Sequence, residues 1–151
     1  MKRAQRLKMV QRTGEDLERR RAEQLALSER RVSECESRLT ELETYQANYC
    51  REFATRARHG IGAAGLRDYQ TFLARLAEAV NQQSHVVFRT RAERDAERQS
   101  WQTAAQRAEA VGRIVKRWQS EDQRTLERYE QRESDERGQR SNTNGIHARS
   151  F

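Results

Sequence analysis

The amino-acid sequence predicts an all-α fold, an antiparallel two-helix coiled-coil hairpin with long helices and a disordered C-terminal tail. None of the 151 residues is proline, where average usage would give about seven, and proline is the residue that interrupts helices. Charged residues make up 35% of the chain and hydrophobic residues only 34%, which is too polar for a large packed core. Apolar residues also recur at alternating steps of three and four, the spacing of a coiled coil.

Helix 1 is predicted from about residue 4 to residue 57. Its apolar stripe, or seam, keeps the three-and-four spacing from Leu25 to Phe53, after a four-residue slip at Arg21. A slip of this kind is a stutter, which locally unwinds a coiled coil. The seam residues are Leu25, Ser28, Val32, Cys35, Leu39, Leu42, Gln46, Tyr49 and Phe53.

A glycine-rich turn is predicted at residues 58–65. Three of the seven glycines fall within residues 60–65, and glycine both ends helices and permits left-handed backbone. A short connection between two amphipathic helices favours antiparallel packing. Folding about Ile61 would place Tyr69 opposite Phe53 and would cluster the aromatic side chains near the turn.

Helix 2 is predicted from about residue 66 to residue 136. Its seam runs in strict alternation of three and four from Leu66 to Trp118. The seam is mostly polar between Gln83 and Glu97, so we expect looser packing there. Residues 138–151 have no apolar period and are predicted to be a disordered tail. Residues 1–137 are therefore expected to form one helical hairpin domain.

The chain lacks the residue constellations of an enzyme, a metal site or a cofactor site. Residues 60–65 read GIGAAG and match the dinucleotide fingerprint GxGxxG. That fingerprint requires a preceding strand and a carboxylate about 20 residues later. A helical pattern precedes the glycines here, and the stretch from Gln82 to His85 has no carboxylate. Histidines and cysteines also lack the spacing of zinc ligands, so we expect no enzymatic activity, cofactor or metal.

Charge and hydropathy argue against nucleic acid and membrane insertion. Basic residues give a formal net charge of +7 but alternate with acidic ones along both helices, whereas nucleic-acid binding clusters them on one face. The exception is Lys2–Arg12, with five basic residues and no acidic one, which could meet phosphate or an acidic protein. No stretch resembles a signal peptide or a spanning helix, and Cys35 and Cys50 are too far apart along one helix for a disulfide. We therefore expect a cytoplasmic protein.

Apolar surface that the seams do not need is the most informative feature. Phe72 and Ala79 lie one position to the side of the helix 2 seam, and Tyr45 lies off the helix 1 seam. In an antiparallel pair these residues could merge into one partner-binding surface, since aromatic residues at the centre of a patch are typical hot spots. Alternatively, Tyr45 and Phe72 could widen the core of the hairpin. We call this candidate surface the aromatic patch; it comprises Phe72, Leu76, Ala79, Gln83, Leu42, Tyr45 and Tyr49.

The sequence resembles the bacterial flagellar export protein FliJ family over about residues 5–137. The motifs that carry the resemblance are LETYQANYCR late in helix 1, a Gly-Ile turn, DYQTFL at the start of helix 2, and a downstream Trp-Gln. In this chain the motifs occupy Leu42–Arg51, Gly60–Ile61, Asp68–Leu73, and Trp101–Gln102 or Trp118–Gln119.

The resemblance implies a non-enzymatic part of the flagellar type III protein export apparatus, needed for flagellum assembly and motility. It implies a stalk-like coiled coil that associates with the export ATPase hexamer, contacts the cytoplasmic domain of the membrane export gate, and assists export chaperones. It also implies a cytoplasmic protein peripherally associated with the inner membrane at the flagellar base. By the family pattern, the gate-contacting face falls on Phe72, Leu76 and Ala79, and position 83 is Gln where the pattern has His. Leu42, Tyr45 and Tyr49 would extend the same surface.

Two other interpretations stay open. One is a generic coiled-coil adaptor or homodimeric scaffold, because a seam that pairs two helices within a chain can also pair them between chains. The other is the equivalent stalk protein of a virulence type III secretion system. For the flagellar interpretation, we hypothesise that the Leu7–Leu25 and Trp118–Gly138 ends enter the ATPase ring while the turn end reaches the gate.

Overall fold

The computed structural model describes the backbone of residues 3–148 and the side chains of residues 3–146. Its two helices are α1, Arg3–His59, and α2, Ala63–Ala148. Residues 3–148 contain no strand, and none of their helices is both long enough and apolar enough to cross a membrane. The predicted fold class, an all-α antiparallel pair of long helices, is confirmed.

The turn between the helices is shorter than the glycine-rich segment predicted. Between the two helices, residues 60–62 are non-helical, so α1 ends at His59 rather than near residue 57 and α2 begins at Ala63 rather than near residue 66. Among the described residues, Gly60 alone has a positive φ, of 93°. One left-handed residue is enough to end α1. The Leu66 N–H donates a hydrogen bond to the Gly62 carbonyl at 2.9 Å, which closes the first turn of α2.

The second helix continues through most of the segment predicted to be a tail. Residues 138–148 are helical, and residues 149–151 lie outside the part of the chain that the structure describes. An α-helix needs only local hydrogen bonds, so the loss of an apolar period does not end it, and no proline is present to do so. The ion pair of Arg137 with Glu133, at 3.8 Å and one turn apart, adds local support.

Residues Leu17–Ala104 form one compact unit, which we call unit 2. Its helices run antiparallel, and its core is a thin row of seam positions rather than a globular interior. The two most buried are Val32 and Val87, with 4% and 3% of their surface exposed. The other buried side chains in this unit are Ser28, Tyr69, Leu76, Thr90 and Ala104.

The polar middle of the unit 2 seam is held by side-chain hydrogen bonds. Gln83 Nε2 donates across to the Cys35 carbonyl at 3.0 Å, and the Thr90 hydroxyl donates to the Val87 carbonyl at 3.0 Å. The Glu97 Oε2 atom is buried without a hydrogen-bond partner. A buried acceptor left unpaired costs free energy of folding. The looser packing expected between Gln83 and Glu97 is not seen, since Val87 and Thr90 in this stretch are 3% and 7% exposed; the polar character of the seam shows instead as one unsatisfied oxygen.

The other compact unit, unit 1, comprises Met1–Asp16 and Ala105–Phe151. Its helices approach closely, since a Cβ added to Gly14 would lie 3.9 Å from the Ala108 Cα. The Arg3 guanidinium lies 3.4 Å from the centroid of the Trp118 ring, a cation–π contact. Beyond Trp118, all α2 residues from 119 to 146 are exposed.

Gly60→Ala is expected to lower the melting temperature, because an L side chain at a φ of 93° costs about 1–2 kcal/mol. The matched control is Gly62→Ala, where an added Cβ meets nothing within 4 Å and φ is not positive. The control should be neutral or slightly stabilising. Thermal melting followed by circular dichroism measures both variants, and equal melting temperatures would contradict the assigned turn conformation.

Candidate partner-binding surface

Five aromatic rings contact one another in succession across the two helices of unit 2. The Tyr45 and Phe72 centroids lie 6.2 Å apart in an edge-on arrangement, and Phe72 lies 4.4 Å from Tyr49. Tyr49 lies 5.1 Å from Tyr69, which lies 5.2 Å from Phe53. Each such pair contributes about 0.5–1.5 kcal/mol beyond the burial of its surface. The predicted pairing of Phe53 with Tyr69 is confirmed.

Exposure differs sharply along this row of rings. Tyr69 is 8% exposed and forms the base of the cluster, while Tyr45 is 52% exposed. Tyr49, Phe53 and Phe72 are half-buried. Tyr69 is therefore core, as its seam position predicts, and Tyr45 is open surface, so the interpretation that Tyr45 widens the core does not fit its exposure.

The remaining members of the aromatic patch lie at several depths. Leu76 is only 7% exposed, which makes it a core residue beneath the patch. Leu42 and Ala79 are half-buried. Gln83 is half-buried and donates its amide hydrogen to the Cys35 carbonyl, so this side chain ties the two helices together.

Burial raises the pKa of the Tyr49 hydroxyl above its ordinary value of 10.0, and the neighbouring Tyr69, Glu52 and Tyr45 act in the same direction. Arg56 opposes the shift and lowers this pKa. The hydroxyl of Tyr49 is therefore protonated near neutral pH and can donate a hydrogen bond. The patch combines apolar rings with phenol donors, a combination enriched at protein–protein interfaces.

The most exposed aromatic side chain of unit 2 was not among the predicted site residues. Phe88 is 74% exposed, although its neighbour Val87 is 3% exposed. Phe88 makes no ring contact with the five clustered aromatics among the described residues. The sequence did carry a signal for this exposure. Phe88 directly follows the seam residue Val87, and a residue next to a seam position is turned away from the partner helix.

Unit 1 carries a different surface, basic and open. The predicted basic stretch begins at Lys2, which lies outside the described residues, and continues with exposed Arg3, Arg6, Lys8 and Arg12. A groove of about 370 Å³ beside Trp118 is lined by basic, acidic and apolar side chains. Its lining includes Arg3, Leu7, Lys8, Val115, Trp118 and Asp122.

Comparison with known proteins identifies the family. No curated protein and no solved structure matches the chain. The family model described as Flagellar FliJ protein matches residues 1–145, which include the aromatic patch, the turn and all of α1. This match confirms the resemblance that the Tyr-Gln motifs, the Gly-Ile turn and the Trp-Gln pairs indicate. The chain belongs to the FliJ family of flagellar export-related coiled-coil proteins.

Proposed function

We propose that this protein is a stalk-like coiled coil of the flagellar type III export apparatus, needed for flagellum assembly and motility. It links the export ATPase hexamer to the cytoplasmic domain of the membrane export gate and assists export chaperones. Its place is the cytoplasm, peripherally associated with the inner membrane at the flagellar base. The observation that carries the proposal is the family match over residues 1–145, because it spans both units of the chain.

The aromatic patch supports the gate contact. A surface that binds another protein needs an accessible anchor held in place by a packed base. Tyr45 is the accessible ring, with 52% of its surface exposed. Phe72 supports it edge-on at 6.2 Å, and buried Tyr69 and Leu76 lie among the core residues below. An anchor pre-ordered in this way loses little conformational entropy on binding.

The basic start of α1 supports the ATPase contact in unit 1. Four basic residues lie between Arg3 and Arg12 without a carboxylate among them. Arg3 is held over the Trp118 ring at 3.4 Å, so that its charge is fixed at the mouth of the groove. Clustered exposed positive charges attract an acidic protein surface and speed association with it.

Site-specific photocrosslinking with the full-length chain tests both contacts. A photoreactive residue replaces exposed Tyr45 in one variant and exposed Met9, with 57% of its surface accessible, in the other. The purified variants are mixed with export ATPase, the cytoplasmic domain of the gate, and export chaperones. Position 45 should capture the gate and position 9 the ATPase, while position 88 serves as an exposed control. Exchange of the two partners would reverse the orientation, and capture of neither would refute the proposal.

A further inference from the structure

We propose that the aromatic patch continues into a cationic turn, so that unit 2 binds an acidic protein segment carrying apolar anchors beside its carboxylates. The basic turn, as we call it, comprises residues 53–67. This inference rests on the proposed gate contact and specifies the chemistry of the segment that the gate would present.

The basic turn, like Lys2–Arg12, is a stretch of basic residues without an acidic one, and Glu52 and Asp68 lie at its two borders. It contains Arg56, Arg58, His59 and Arg67 but no aspartate or glutamate, whereas acidic and basic residues alternate along most of both helices. Arg56 pairs with Glu52, just outside the turn, at 3.6 Å. Arg58 and Arg67 are exposed and make no ion pair within the described part of the chain. Two guanidinium groups are therefore open to an incoming anion.

Helix dipoles do not remove this positive potential. α1 presents its negative end at the turn, and α2 presents its positive end there. The two ends have opposite signs and largely cancel, so the arginines determine the local potential. The first turn of α2 contains no acidic residue that would neutralise them.

The cationic and apolar surfaces are continuous within unit 2. The row of contacting rings begins at exposed Tyr45 and ends at Tyr69 and Phe53. The Arg56 guanidinium carbon lies 5.8 Å from the centroid of the Tyr69 ring, which joins the last rings to the basic turn. One extended segment can therefore place apolar side chains against the patch and carboxylates against the arginines.

An acidic protein fits the turn better than an anionic membrane does. Membrane-surface segments bury exposed tryptophan, phenylalanine or leucine among the lipids. The loop of this turn is glycine on both sides of Ile61, and Leu66, at 36% exposed, is the one exposed large hydrophobic side chain of residues 53–67. A Cβ on Gly65 would lie 3.3 Å from the Ile61 Cγ1, so Ile61 packs back onto α2 and is half-buried.

Charge removal in the full-length protein tests the inference. The variant Arg58→Gln with Arg67→Gln is compared with the control Arg30→Gln with Arg89→Gln, which removes the same charge from exposed positions of the same unit. Affinity for the purified cytoplasmic domain of the export gate is measured between about 0.1 and about 1 M salt, a range over which the Debye length falls from about 10 to about 3 Å. Circular dichroism confirms equal helicity of the variants. Binding to phosphatidylglycerol vesicles is measured in parallel.

The expected result is a wild-type affinity that falls with salt and a turn variant that binds about tenfold more weakly at low salt with a shallower salt dependence. The control should keep the wild-type affinity and the wild-type dependence of affinity on salt. Equal binding by all three proteins would overturn the inference and leave the gate contact standing. If the turn variant loses binding to the vesicles but keeps its affinity for the gate domain, the turn binds lipid, and this result also overturns the inference. If the wild-type protein does not bind the gate domain, the gate contact fails and the inference fails with it.

Discussion

Val87→Asp is expected to unfold unit 2, with loss of most of its helical signal and of its cooperative melting transition. Val87 is 3% exposed, and it lies in a seam only one side chain wide. An unpaired carboxylate at such a position loses its hydration and gains no partner, at a cost of at least about 3 kcal/mol. A thin two-helix core has little stability in reserve, since even ordinary domains have only about 5–15 kcal/mol.

The adjacent residue supplies the matched control for this prediction. Phe88→Asp introduces the same carboxylate one position along the same helix, where the side chain is 74% exposed. It should leave helicity and melting temperature nearly unchanged, because the new charge stays in water. If both variants melt alike, the side chain of Val87 does not lie between the helices and the register of unit 2 is wrong.

The sequence predicts the register of the aromatic end because a tight turn leaves little freedom. Once the chain reverses at residues 60–62, each residue of α1 has a narrow choice of opposite residues in α2. The contact of Phe53 with Tyr69, at 5.2 Å, follows from that geometry. The number of helical residues in the turn was less predictable, since glycine is compatible with both helix and left-handed backbone.

The depth of each patch residue could not be read from periodicity alone. A heptad pattern tells which side of a helix a residue occupies, but not how closely the neighbouring helix approaches. Leu76 and Tyr45 were assigned to one surface, yet they are 7% and 52% exposed. The Gln83 bond to the Cys35 carbonyl depends on the interhelical distance in the same way, and so does the stacking of Arg3 on Trp118.

Tyr45→Ala is expected to weaken binding to the cytoplasmic domain of the export gate by about 30-fold, equivalent to about 2 kcal/mol at an interface hot spot. Its melting temperature should stay close to that of the wild type, because half of the ring is already in water. Phe72 would separate binding from folding less well, since it is half-buried and lies 4.4 Å from Tyr49. Titration of the gate domain by calorimetry, with melting curves for each variant, provides the measurement.

Phe88→Ala tests whether exposed aromatic surface alone explains the binding. Phe88 is more exposed than Tyr45, at 74% against 52%, but it lies outside the row of contacting rings. If binding requires the ordered cluster, Phe88→Ala should retain wild-type affinity while Tyr45→Ala loses it. A larger loss for Phe88→Ala would move the contact to the middle of α2. Tyr45→Ala should also keep the salt dependence of the wild type, because the charges that respond to salt lie in the basic turn and not on the tyrosine ring.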